Sequence, residues 1–343
     1  MSHDLEERIT ASLQAHAGAG VDVGGLVERA RTHGGRLRRR RRAGTVLGAA
    51  AVAAIVAGAT VLGAGGRGSG PVPMVLPAAA DRAGASARPE LVGTDATTLH
   101  FTAAELTAGA SSVTWAAGGG VESVEVRGDP MTALFVLART EKDLAAETRT
   151  LGASGDPVTT YDVRVGNRPG VAWVDGLPGG AGVWTVRWQP ADGLWARLET
   201  FAHTREQAVA VTGTVRFDAA QRCTTPFRVP GAPLLSCSVT LGDRGFEEGA
   251  LRLGDDERWF SLRVERARPG TRPDDTAGGD LSAGPYEVRR RGDGVLTMVV
   301  GGCSVSLVRE GWGDRDDSAS EAEAVRLLSG YRQAGDLDDV AAW

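Results

Sequence analysis

Three cysteines, Cys223, Cys237 and Cys303, are the side chains with the most chemistry to offer. Thiols pair as disulfides, hold soft metals or attack as thiolates. Zinc-type binding needs paired Cys-x-x-Cys or His spacings, and none occurs. A catalytic thiol needs a histidine nearby, and the supply is poor: His3, His16 and His33 precede residue 43, leaving His100 and His203. His100 falls in an alternating stretch and His203 at a helix start, where capping or surface roles suffice. Disulfide chemistry remains, with one bond and one spare thiol. Cys223–Cys237 closes a short proline-containing loop and is the favoured pair, and either cysteine has Cys303 as its alternative partner. No HExxH, GxSxG, Walker or EF-hand spacing is present. The acidic runs at 255–257 and 314–317 read as solvated turns rather than a glycosidase-like carboxylate pair. The expectation is therefore a non-enzyme, with no catalytic residue, no cofactor-binding residue and no metal ligand.

A disulfide needs an oxidising compartment, and the N-terminal third of the chain supplies a route to one. Residues 1–42 hold nine Arg against five Asp and Glu, a net charge of +4. The remainder of this 343-residue chain holds 29 basic against 38 acidic residues, a net of −9. Between Arg42 and Arg67 lie 24 uncharged residues, mostly Ala and Gly with Val46, Leu47, Val52, Ile55, Val56, Val61 and Leu62 among them. A helix of that length is about 36 Å long, enough to cross a hydrocarbon core of about 30 Å. Its seven bulky residues contribute roughly −2 to −4 kcal/mol toward insertion. Arg36, Arg38, Arg39, Arg40, Arg41 and Arg42 crowd one end as a membrane-surface basic cluster, which sets the N-terminus in the cytoplasm. A cleaved signal peptide is the weaker reading, because 42 residues would precede its apolar core. An acidic main domain, and an arginine run without interleaved aromatics, argue against nucleic acid as a partner.

Five regions must then position the cysteines. The spacing predicts two short helices within a cytoplasmic basic tail at 1–42, a transmembrane helix at 43–65, a Gly/Ala/Pro/Ser-rich flexible linker at 66–90 and an extracytoplasmic domain at 91–343. That domain reads as α+β, mainly antiparallel β with helices packed on the sheet. Strands are expected at 97–101, 112–116, 121–127, 133–138, 161–166 and 171–174. The strongest signal is the hairpin VWTVRW (183–188) to LWARLETF (194–201), in which Trp184, Val186 and Trp188 share a face. The tryptophans are expected in a core rather than as a ligand floor. Thr204 with Gln207 caps a helix through about Val215. Further on, VLTMVV and CSVSLVREG read as strands, and Asp317 or Ser318 with Glu321 caps a helix through about Ala334. PYEVRRRGDG echoes TYDVRVGNRPG, so two halves at 91–225 and 226–343 are expected, each running strands then helix.

The stretches VERARTHGGRLRRRRR, LHFTAAEL, VTWAAGGGVESVEV and LLSGYRQAGDLDD resemble single-pass membrane proteins of high-GC Gram-positive, actinobacterial type. Some of these look like membrane-bound regulators partnered with alternative sigma factors. The stretch VWTVRWQPADGLWARLETFAHTREQAVAVTGTVRF is loosely similar to extracytoplasmic modules with lipoprotein-carrier-like folds. The expected function is a non-catalytic binding or sensing module anchored in the lipid bilayer, with an unknown extracytoplasmic ligand. Its alternative is a regulator whose tail, 1–42, binds a cytoplasmic protein such as a sigma factor. The tail departs from the zinc-binding anti-sigma pattern, having no His/Cys cluster before the span.

Overall fold

The computed structural model describes residues 74–343 except 130, 152–158, 177–181, 256, 268–278, 292–293 and 311–316. The cytoplasmic tail, the basic cluster and the span at 43–65 lie outside the described residues. Among those described, no helix is long and apolar enough to cross a membrane.

Among the described residues, alternating apolar and polar side chains build one 14-stranded antiparallel sheet. Its first run is β3 (Ser112–Gly118), β4 (Val121–Arg127), β5 (Ala133–Ala138), β6 (Tyr161–Val165), β7 (Arg168–Gly176), β8 (Gly182–Trp188) and β9 (Trp195–Ala202). The second is β12 (Leu234–Gly242), β13 (Gly245–Gly254), β14 (Trp259–Arg266), β15 (Leu281–Ala283), β16 (Tyr286–Arg291), β17 (Val295–Val300) and β18 (Cys303–Glu310). The sheet order is β15-β16-β17-β18-β14-β13-β12-β3-β4-β5-β9-β8-β7-β6. Counted outward from the seam between β3 and β12, each run follows one order: first, second, third, seventh, sixth, fifth, fourth. The seam has a local two-fold. Ser112 pairs with Gly242 and Ser236 with Gly118, and Trp115 opposite Val239 stands at the centre.

A helix follows each run, α3 (Arg205–Thr212) and α4 (Asp317–Ser329), after the shorter α1 (Ala104–Thr107) and α2 (Glu141–Ala146). Each run is also bracketed by a short strand pair. Around the first, β2 (Thr98–Leu99) pairs with β10 (Ala219–Arg222), which pairs in turn with β1 (Ala78–Ala83). Around the second, β11 (Phe227–Arg228) pairs with β19 (Arg332–Gln333). The main core lies on the sheet face carrying Trp115, Phe135, Leu198, Val239, Leu262 and Val305, all fully buried. A second, small core of Leu134, Val136, Ala138 and Leu144 sits where α2 crosses the opposite face.

Several expectations change in detail. The tether expected over 66–90 does not reach 90. From Met74 onward the chain packs, with Leu76 buried, β1 paired to β10 and Trp115 Nε1 donating to the Met74 carbonyl at 3.2 Å. Trp188 is buried and Trp184 half-buried, on the core face. The helix capped by Thr204 ends at Thr212, not Val215, because the Thr212 and Thr214 hydroxyls turn back onto the Val209 and Val211 carbonyls. The last helix stops at Ser329, ahead of Gly330, and Arg332–Gln333 become a strand. Glu321 pairs with Arg290 of β16 at 2.7 Å. The Tyr161/Tyr286 echo is out of step with the topology, since Tyr161 opens the fourth strand of its run and Tyr286 the fifth.

The Thr204 hydroxyl accepts from Gln207 N at 3.2 Å, and Gln207 Oε1 accepts from His203 N at 3.0 Å. This reciprocal cap is worth about 1 kcal/mol. Thr204→Ala is expected to lower the unfolding free energy by that amount in a urea titration, with an unchanged m-value.

Candidate functional site

Strand register sets a row of side chains across the core face of the sheet. Leu137 stands beside Glu122, Glu122 beside Ala117, Ala117 beside Cys237 and Cys237 beside Leu251. Glu122 is a carboxylate in an apolar row, with no exposed surface. An unpaired charge there costs several kcal/mol, so its partners decide whether the fold tolerates it. Those partners come from the segment crossing above. Oε1 accepts from Gly93 N at 2.9 Å and lies 2.6 Å from His100 Nδ1, and Oε2 accepts from His100 N at 2.6 Å. A carboxylate only accepts, so Nδ1 carries the hydrogen it donates. Gly93 adopts φ 69° and passes so close to Gly120 that a β-carbon would strike the Gly120 carbonyl.

His100 is therefore not a surface or capping residue. It is 2% exposed and holds the crossing segment to the sheet. Glu122 escaped notice in the sequence, although a signal was present: Glu122, Val124 and Val126 alternate on one face, placing an acid on an apolar stripe. His203 stays exposed at the start of α3. At the acidic run beginning at Asp255, Asp255 Oδ1 accepts from the backbone of Glu257 and Arg258. Residues 314–316 lie outside the described ones.

Cys223 follows β10, and its N–H bonds the Thr97 carbonyl at 2.8 Å. Its sulfur lies 2.9 Å from that of Cys237, and both are free thiols, each 3% exposed. Burial pushes the Cys223 thiol well above the ordinary range, and the Cys237 thiol and the Glu122 charge push the same way. Cys303 sits apart as a third free, buried thiol at the start of β18. Burial raises it and the Arg266 charge partly offsets that. Of the three candidates the structure thus brings together Cys223 and Cys237. Among the described residues no cluster of His, Cys, Asp and Glu is arranged to hold a metal ion.

The two thiols line a cleft of about 390 Å³, within the usual range for small-molecule sites. Its lining comes from β1, the start of β2, the stretch from the end of β10 to β13, and Ala341 with Trp343. Four segments far apart in sequence therefore make it. Its charged lining is Arg82, Arg222 and Arg228 against Asp81.

No family model matches this chain. No curated protein matches it either. Among solved structures, the crystal structure of MucB in complex with MucA(peri) aligns with 68% of this chain and 96% of the matched chain, at 15% identity and a TM-score of 0.19. A likeness at that level carries no argument about fold or partner here.

Proposed function

We propose that the chain is a single-pass, N-inside membrane protein whose β-rich domain is a non-catalytic binding or sensing module outside the membrane, with the cleft over Cys223 and Cys237 as its ligand site. The observation that carries the reading is the cleft itself: a hollow of about 390 Å³ lined about equally by apolar and polar groups, of a size usual for a small-molecule site. Support for the location comes from the uncharged run at 43–65 and the six arginines at its N-terminal end. The resemblance to actinobacterial single-pass membrane proteins points the same way. In this reading the buried His100–Glu122 pair is structural, because both Glu122 oxygens and the His100 Nδ1 are already engaged with the chain.

Two measurements test it. Full-length protein is expected to stay in the membrane pellet after alkaline carbonate, with a C-terminal epitope reached only from outside intact cells. Release by carbonate, or an epitope reached only after permeabilisation, defeats the location. For the site, a ligand present at 100 times its Kd stabilises the folded form by about 2.7 kcal/mol. A thermal-shift screen of the full-length chain should find such a compound. Ala232→Trp, which fills the cleft, should abolish the shift, and a shift that survives this variant places the ligand elsewhere.

A further inference from the structure

We infer that the ligand of this cleft is a small apolar monoanion, an alkyl or aryl group bearing one carboxylate or sulfonate, whose charge is met by Arg228. The inference rests on the reading of the cleft as a ligand site and adds its chemistry.

The apolar part follows from the walls, where Ala79, Phe227, Val229, Leu234, Leu251 and Leu253 face the hollow. The sign of the charge follows from the lining. Three arginines against Asp81 in the lining and Asp95 on Arg82 leave one cation unmatched, whereas the chain from residue 43 onward carries −9. A positive hollow in an acidic domain draws anions in and turns cations away.

The arginines are not equivalent. Arg222 lies 3.4 Å from Asp81, and Arg82 lies 3.8 Å from Asp81 and 3.9 Å from Asp95, so both already face carboxylates. Arg228 pairs with no carboxylate among the described residues. Its Nη1 donates to the Thr225 carbonyl at 2.6 Å and the Phe227 carbonyl at 3.0 Å, and its Nη2 donates to Thr224 Oγ1 at 3.0 Å. All three acceptors are neutral and belong to its own loop, so the guanidinium is held in place without being neutralised. Among the described residues Nε–H and one hydrogen of Nη2 meet no acceptor, and two such donors suit an oxyanion. The fixed orientation lowers the ordering cost when a ligand arrives.

The test titrates octanoate, octan-1-ol and octylammonium calorimetrically into the full-length chain, its R228A variant and its A232W variant, with melting curves to certify the fold of each. Octanoate is expected to bind best, octanol weakly and octylammonium not at all. R228A should weaken octanoate by about 10-fold or more while leaving octanol unchanged, and A232W should remove both. Equal binding of all three probes, or octanoate binding indifferent to R228A, overturns the anion assignment while leaving an apolar ligand site standing. Binding that A232W does not affect overturns both the assignment and the cleft as the site.

Discussion

Replacing Glu122 by leucine is expected to cost about 3–5 kcal/mol of unfolding free energy, because it leaves buried donors without an acceptor. Three donors lose their acceptor at once: Gly93 N, His100 N and His100 Nδ1. Each buried donor left without a partner costs about 1–3 kcal/mol. Glu122→Gln should fall between wild type and leucine, because an amide has one oxygen to offer and its NH₂ faces a donor. Urea titrations of the variants measure this, and hydrogen exchange should show the amides of 93 and 100 losing protection. A loss under 1 kcal/mol for Glu122→Leu would mean that the pair does not hold the crossing segment. The second run supplies an internal comparison. Phe246 pairs with Leu241 one strand from the seam, as Glu122 pairs with Ala117. Phe227 packs edge-on against it with ring centroids 6.1 Å apart. One strand order thus accepts an aromatic pair at the place where the first run has His and Glu. The polar pair is not a demand of the sheet. It fixes residues 93–100, which lead into β2 beside the cleft.

Oxidation of Cys223 and Cys237 to a disulfide is expected to add about 3 kcal/mol, the loop-entropy value for a closed loop of about 15 residues. The sulfurs need to approach by about 0.9 Å from their 2.9 Å separation to reach bonding distance. Balance requires an oxidant. With oxidised glutathione, two thiols lose two hydrogens and one glutathione disulfide becomes two thiols. The intact mass should fall by two hydrogens, and the urea midpoint should rise relative to protein held in dithiothreitol. Cys223→Ser should abolish both changes and Cys303→Ser neither. A mass loss that depends on Cys303 would refute the pairing. A mass loss without a gain in stability would make the bond strained rather than supportive. The raised Cys223 thiol slows its attack as a thiolate, so exchange should quicken as pH rises.

How far the fold could be read from residues alone depended on distance along the chain. The hairpin of Trp184, Val186 and Trp188 against Leu194, Ala196 and Leu198 was legible because alternation and its turn lie within about 20 residues. β12 carries the same kind of signal, with Cys237, Val239 and Leu241 alternating against Ser236, Ser238 and Thr240 ahead of a Gly-Asp-Arg-Gly turn. The seam was not legible, because pairing 112–118 with 236–242 is a tertiary choice that no local pattern records. Nor was the cleft, whose walls come from four separate stretches. The site was half visible. Loop length points to Cys223–Cys237, whereas local pattern leaves His100 a capping or surface role, because its partner lies 22 positions away on another strand.

The seam also dictates a hazard during synthesis. As the polypeptide emerges N-terminus first, β3 is complete more than a hundred residues before its mate β12 exists. Through that interval the first run exposes a bare row of amide and carbonyl groups along Ser112–Gly118, a ready template for strands of other chains. Truncation before residue 234 should therefore give material that self-associates, and a peptide spanning 234–242 supplied in trans should suppress it.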